Sequence, residues 1–222
     1  MRGLLKRVVL CACLTAFIFL NLGRASQLAI IVLNTLNWGS GRLPSDWQVK
    51  VVHGKPDISV CSQGDGSCLH LKSANSSFAL EHGVDVNPQE TRYLTWRWKV
   101  TQLPVGGDFR RASTDDQAAQ ILVAFADRRI LTYIWDTTVP KGTAQQASSI
   151  PLVHIYAVVC ESGAGDMNRW IFEARDVAAD YQQAYGRPAP QVKGLRLQIN
   201  SQHTGTTAES YFGEVAFRNT AQ

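Results

Sequence analysis

The chain has 222 residues, 45% of them hydrophobic and 18% charged, a balance that suits a core of ordinary size and excludes a disordered or coiled-coil composition. Its formal charge of +4 comes from one end: Arg2, Lys6, Arg7 and Arg24 lie in the first 26 residues, which hold no acid, and beyond them 18 basic residues meet 18 acidic ones. A neutral remainder lacks the electrostatic footprint of a nucleic-acid binder or of a protein held on anionic lipid, so neither partner is expected.

Residues 1–7 read as a basic n-region and residues 8–20 as an apolar h-region, after which 21–26 turn polar and small. This is the plan of an export signal. The apolar run stops short of the 20 or so residues that a membrane span needs, so cleavage after Ala25 or Ser26 is favoured over a permanent anchor. Membrane contact is expected only through that segment if it is left uncleaved. The protein is accordingly predicted to be periplasmic or secreted, with residues 27–222 as a single domain. Of the five cysteines, Cys11 and Cys13 belong to the leader. Cys61 and Cys68 bracket a Gly/Asp-rich loop between two strand-like stretches, which in an oxidising compartment reads as a hairpin disulfide. Cys160 ends an apolar run and is expected to be a buried thiol.

Along the chain, residues 28–36 form a short apolar β-rich run that leads into a loop with Trp38, Leu43, Pro44 and Trp47. Strand candidates follow at 48–52, 68–73 and 77–81, separated by Gly, Asn, Asp and Pro signals. The sharpest lies at 93–101, where Leu94, Trp96, Trp98 and Val100 alternate with Thr95, Arg97, Lys99 and Thr101, the period of a half-buried strand. Residues 118–126 and 153–160 are apolar on both faces, as central strands are. Further strands are read at 130–135, 169–175, 192–200 and 210–218. One helix interrupts them: Asp176 is a suitable N-cap, Val177, Tyr181, Ala184 and Tyr185 form a stripe, and Gly186 with Pro188 supplies the stop. The fold class is therefore all-β, a two-sheet, jelly-roll-like β-sandwich with one short helix.

No phosphate loop, zinc-protease helix, calcium loop or Gly-x-Ser-x-Gly elbow is present, and no cofactor or metal is expected. The candidate site is acidic and aromatic. Asp115 and Asp116 precede one central strand, Glu161 ends another, and Trp135 with Asp136 ends a third. Tyr133, Trp135 and Tyr156 are candidate rings for a concave sheet face, where flat side chains stack on sugars while Arg97, Lys99 or Gln120 donate hydrogen bonds. Asp116 and Glu161 are the alternative acid and base of a glycan hydrolase or lyase, set against loop capping or pairing with Arg110 or Arg111 for the two aspartates. A structural or partner-binding envelope protein is the third reading. His154 is the one histidine considered for a site.

Several blocks in order, Leu94-Thr95-Trp96-Arg97-Trp98-Lys99-Val100, Asp115-Asp116-Gln117-Ala118-Ala119, Tyr133-Ile134-Trp135, Val158-Val159-Cys160-Glu161-Ser162-Gly163 and Tyr211-Phe212-Gly213-Glu214, resemble the bacterial family called domain of unknown function 3047. The resemblance implies one exported β-sandwich and no particular activity. It also implies two departures: an arginine of the family pattern is replaced by Gln120, and an Asp/Asn-rich stretch by residues 200–205. Amides in place of acids and arginine favour binding a polar envelope ligand, such as a carbohydrate, over catalysis.

Overall fold

The structure is a computed structural model that describes residues 27–34, 43, 45–63, 66–147 and 154–222. Residues 1–26, where a leader is expected, and Trp38, Pro44 and Val153 lie outside the described residues. Thirteen strands run in the order β1 (Ala29–Leu33), β2 (Gln48–His53), β3 (Asp57–Gln63), β4 (Gly66–Ala74), β5 (Ser77–Val86), β6 (Tyr93–Gln102), β7 (Ala119–Phe125), β8 (Arg129–Asp136), β9 (Ala144–Gln146), β10 (His154–Ser162), β11 (Ile171–Asp176), β12 (Val192–Asn200) and β13 (Thr207–Arg218) among the described residues. Helix α1 (Val177–Tyr185) sits between β11 and β12. The first sheet has the order β11-β6-β13-β4-β3, with β1 also on β13; the second has the order β2-β5-β12-β7-β8-β10-β9. Pairing is antiparallel except between β8 and β10, which run parallel.

The two sheets form a β-sandwich whose interior follows from strand alternation. Leu94, Trp96, Trp98 and Val100 of β6 face inward, as do Ile121 and Val123 of β7, Leu131, Tyr133 and Trp135 of β8, and Leu195, Leu197 and Ile199 of β12. Rings from the two layers meet: Trp96 lies 5.3 Å from Tyr133, and Trp98 lies 6.0 Å from Trp135, between centroids. Facing residues at this spacing add edge and tilt contacts to the area they bury.

Local chemistry sets the element ends. The Asp176 side chain accepts from the Ala179 amide, and Gly186 closes α1 at φ +68°, a left-handed position that costs glycine little. Tyr185 then ties the helix to the second sheet through its hydroxyl, which donates to the Ile130 and His154 carbonyls. Cys61 and Cys68 are cross-strand partners on β3 and β4 and form a disulfide with 5.0 Å between their Cα atoms. Cys160 is a buried free thiol whose pKa burial pushes well up. Strands β3 and β9 carry too little alternation to be read from sequence alone. The segment at 57–63 was visible only as the near side of the cysteine loop.

Candidate functional site

Each expected site residue takes a definite place. Tyr133 and Trp135 are fully buried between the sheets. The Tyr133 hydroxyl donates to Asp180, and the Trp135 indole N–H donates to the Gly163 carbonyl at 3.1 Å. Tyr156 is half-buried, shares their face of the second sheet and packs against the same core. The ring-lined face expected from these three is thus the inner one. Leu131 and Tyr133 alternate with Thr132 and Ile134, and burial of the large rings decides which set turns inward. Arg97 and Lys99 lie on the far side of the other sheet, where both cations sit over Trp170.

The aspartates have structural partners. Asp116 is 0% exposed; its carboxylate accepts from the His203 and Thr204 amides at 3.2 and 2.7 Å and from the Thr204 hydroxyl at 2.8 Å, which closes the 201–206 loop. Gly107 makes room for it, because a Cβ there would lie 2.3 Å from the Asp116 carbonyl oxygen. Asp136, also buried, accepts from the amides of Phe109, Thr138 and Val139 and fastens the two loops that carry them. Arg110 and Arg111 pair with Asp108, not with Asp115 or Asp116. Asp115 alone of the pair reaches an open surface. His154 is exposed at the start of β10.

The open surface is the outward face of the second sheet. Because register is known, its side chains fall into rows. One row runs Gln48, Glu81, Arg196, Leu122, Thr132, Ala157 across β2, β5, β12, β7, β8 and β10. The next runs Lys50, Ala79, Gln198, Gln120, Ile134, Val159. Two depressions of about 330 and 420 Å³ lie on this face and share Leu122 and Arg196. The larger has Asp115, Gln117 and His203 at one end.

The groove is divided in character. On β12 and β7 it is polar and interlinked: Gln120 Nε2 donates to Asn200 Oδ1 at 2.6 Å, the Gln117 amide donates to the same oxygen, and Asn200 Nδ2 donates to the Asp115 carbonyl. Gln117 Nε2 donates to the Asp115 carboxylate, whose pKa burial raises. Arg196 pairs with Glu81 and donates to Gln198 Oε1. On β8 and β10 it is aliphatic, where Phe109, Ile134, Val139, Ala157 and Val159 form a small cluster of their own with Ala147 against it. The Thr132 hydroxyl, between Leu122 and Ala157, is buried there without a partner.

The family described as "Protein of unknown function (DUF3047)" matches residues 45–216. The chain belongs to this family. No curated protein matches this DUF3047 chain in sequence. Among solved structures, it is similar to endoglucanase cel12A from Rhodothermus marinus at 11% identity and a TM-score of 0.50, covering 86% of this chain and 99% of that one. It is also similar to the family 11 carbohydrate-binding module of cellulosomal cellulase Lic26A-Cel5E of Clostridium thermocellum (8% identity, TM-score 0.41, 83% and 92% covered). A third similarity is to the enzymatically active domain of tailspike protein 4 from bacteriophage CBA120 (10% identity, TM-score 0.42), where 78% of this chain spans 19% of that one. At these identities the endoglucanase likeness shows the fold and no more.

One further cluster of this DUF3047 chain lies at the sandwich edge. Glu161 is 4% exposed and pairs with Lys141 at 2.5 Å. Glu173 of β11 faces inward beside it, with one carboxyl oxygen buried and unbonded. Burial first, and the Glu161 charge second, raise the Glu173 pKa to about 7. A carboxyl raised in the folded state binds a proton that the unfolded chain has already released, so its contribution is present at low pH and lost as pH climbs through the folded value. Stability is therefore expected to fall by on the order of 2 kcal/mol between about pH 4.5 and 7.5 through this group, and Glu173→Gln is expected to flatten that slope in urea titrations at successive pH. An unchanged slope would show that Glu173 is ionised throughout.

Sequence reasoning missed Arg196, Gln198 and Asn200. The signal was there: they alternate with Leu195, Leu197 and Ile199, the same period that made residues 93–101 conspicuous.

Proposed function

We propose that this chain is an exported saccharide-binding module that holds its ligand in the groove on the outward face of its second sheet, without cleaving it. The observation that carries the reading is a set of amides, Gln117 and Gln120 joined to Asn200 by hydrogen bonds and Gln198 held by Arg196, in a depression of about 420 Å³. Side-chain amides offer a donor and an acceptor each, which matches the mixed character of sugar hydroxyls. The endoglucanase likeness agrees with that class of ligand. Gln120 and the stretch 200–205, where the resemblance implies departures from the family pattern, fall in and beside the groove.

Hydrolysis through Asp116 and Glu161 is less well supported. The first is closed off by the 201–206 loop and the second by Lys141, whereas paired glycosidase carboxylates flank a substrate across about 5 to 10 Å of accessible space. Export is supported by the Cys61–Cys68 disulfide. Among the described residues, no helix is long and apolar enough to cross a membrane. We place the module in the periplasm or outside the cell, acting as one unit over residues 27–222.

The test is calorimetric titration of soluble envelope and plant glycans into the protein and into Arg196→Ala and Gln198→Ala. Binding weakened about fivefold to thirtyfold in each variant is the expected result, since one or two hydrogen bonds at about 1 kcal/mol each are lost. Absence of binding to every glycan by the unaltered protein would overturn the proposal.

A further inference from the structure

The groove's two halves narrow the ligand further. Aromatic platforms, the usual partners for the C–H face of a bare sugar, are not what the described residues of the open face offer. Tyr133, Trp135 and Tyr156 face the other way, and Phe109 is buried under its loop. What it offers is an amide pair next to aliphatic side chains.

Gln120 and Gln198 are direct cross-strand partners on β7 and β12, a spacing of about 5 Å between Cβ atoms. Their existing bonds use one end of each. Gln120 donates through Nε2 to Asn200, and Gln198 accepts at Oε1 from Arg196. Gln120 Oε1 and Gln198 Nε2 are left without partners among the described residues, one an acceptor and the other a donor. Leu122 follows two residues after Gln120 on the same face and borders both depressions, with Ile155 beyond it.

An acceptor and a donor side by side, with a branched aliphatic side chain next to them, is the complement of a secondary amide that ends in a methyl group. We infer that the groove recognises a saccharide bearing acetamido groups. The acetamido N–H donates to Gln120 Oε1, its carbonyl accepts from Gln198 Nε2, and its methyl rests on Leu122. This rests on the groove being the saccharide site and goes beyond it in naming the sugar class. A hydroxyl in place of the acetamido group reaches only one of the two glutamines and leaves the methyl contact with the edge of Leu122, itself 8% exposed, unmade, so the discrimination arises chiefly from the lost hydrogen bond.

The experiment titrates tri-N-acetylchitotriose and cellotriose, which share a β-1,4 backbone and differ at the acetamido position, into the protein. It repeats both with Gln198→Glu, which exchanges the donor for an acceptor, and with Leu122→Asn. The expected result is at least tenfold tighter binding of the acetylated trisaccharide, a preference that falls to about twofold or less in either variant because the acetylated sugar loses more affinity than cellotriose does. Equal binding of the two sugars, or tighter binding of cellotriose, overturns the acetamido inference and leaves the groove as a saccharide site. Tight binding of the acetylated sugar whose preference survives both substitutions overturns it as well. Failure of every glycan in the wider titration removes the groove reading and this inference with it.

Discussion

Asp116→Asn is expected to destabilise the fold by about 2 to 4 kcal/mol, measured by chemical denaturation. The carboxylate is fully buried and satisfies three donors from His203 and Thr204. An asparagine keeps one acceptor oxygen and turns an NH₂ toward donors that it cannot accept, so at least one amide of the 201–206 loop loses its partner in a site closed to water. The loop also carries His203 to the end of the groove, so its loosening is expected to weaken glycan binding in the molecules that remain folded. An Asp116→Asn protein as stable as the parent, with binding intact, would show that the loop is held by other means. The same substitution in a catalytic acid would instead leave stability untouched and abolish product release.

Trp135→Ala is expected to cost more, about 3 to 5 kcal/mol, as large buried aromatics do when truncated. The ring is fully buried, sits 6.0 Å from Trp98 and gives its N–H to Gly163. Its removal leaves a void between the two layers and an unpaired carbonyl at the turn after β10. Trp135→Phe keeps most of the volume and is expected to recover more than half of the loss. A sugar-stacking tryptophan behaves oppositely, losing affinity while the denaturation midpoint stays put, and that outcome would return Trp135 to the binding site.

Most of the strands were legible because their alternation is strong. Tyr93–Gln102 declares itself through Trp96 and Trp98, and the helix does so through Asp176 and Gly186. Which face of a strand turns inward is a different question. In β8, Tyr133 and Trp135 are the residue types that line sugar platforms and also the ones that fill cores, and only the ladder to Ile121 and Ala119 settles which they do. Convergence was harder still. Asp116, Asp136 and Glu161 come to one end of the second sheet, which strand order alone decides and a single sequence does not show, yet each is absorbed by backbone amides or a lysine that no local pattern reveals. Gln198 and Gln120 lie 78 positions apart by number, and nothing short of the β7–β12 register makes them neighbours.

That register has a consequence for how the molecule is made. β12 lies between β5 and β7 in one sheet, and β13 lies between β6 and β4 in the other. Among the described strands, the two latest in sequence order are therefore inner planks of the two layers. Until residues 192–218 are available, each sheet is split into two halves with open edges, and pairing across such sequence distances is intrinsically slow. Local hairpins such as β3–β4 and β7–β8 can pair on their own, but the two layers close only once residues 192–218 are in place between their halves.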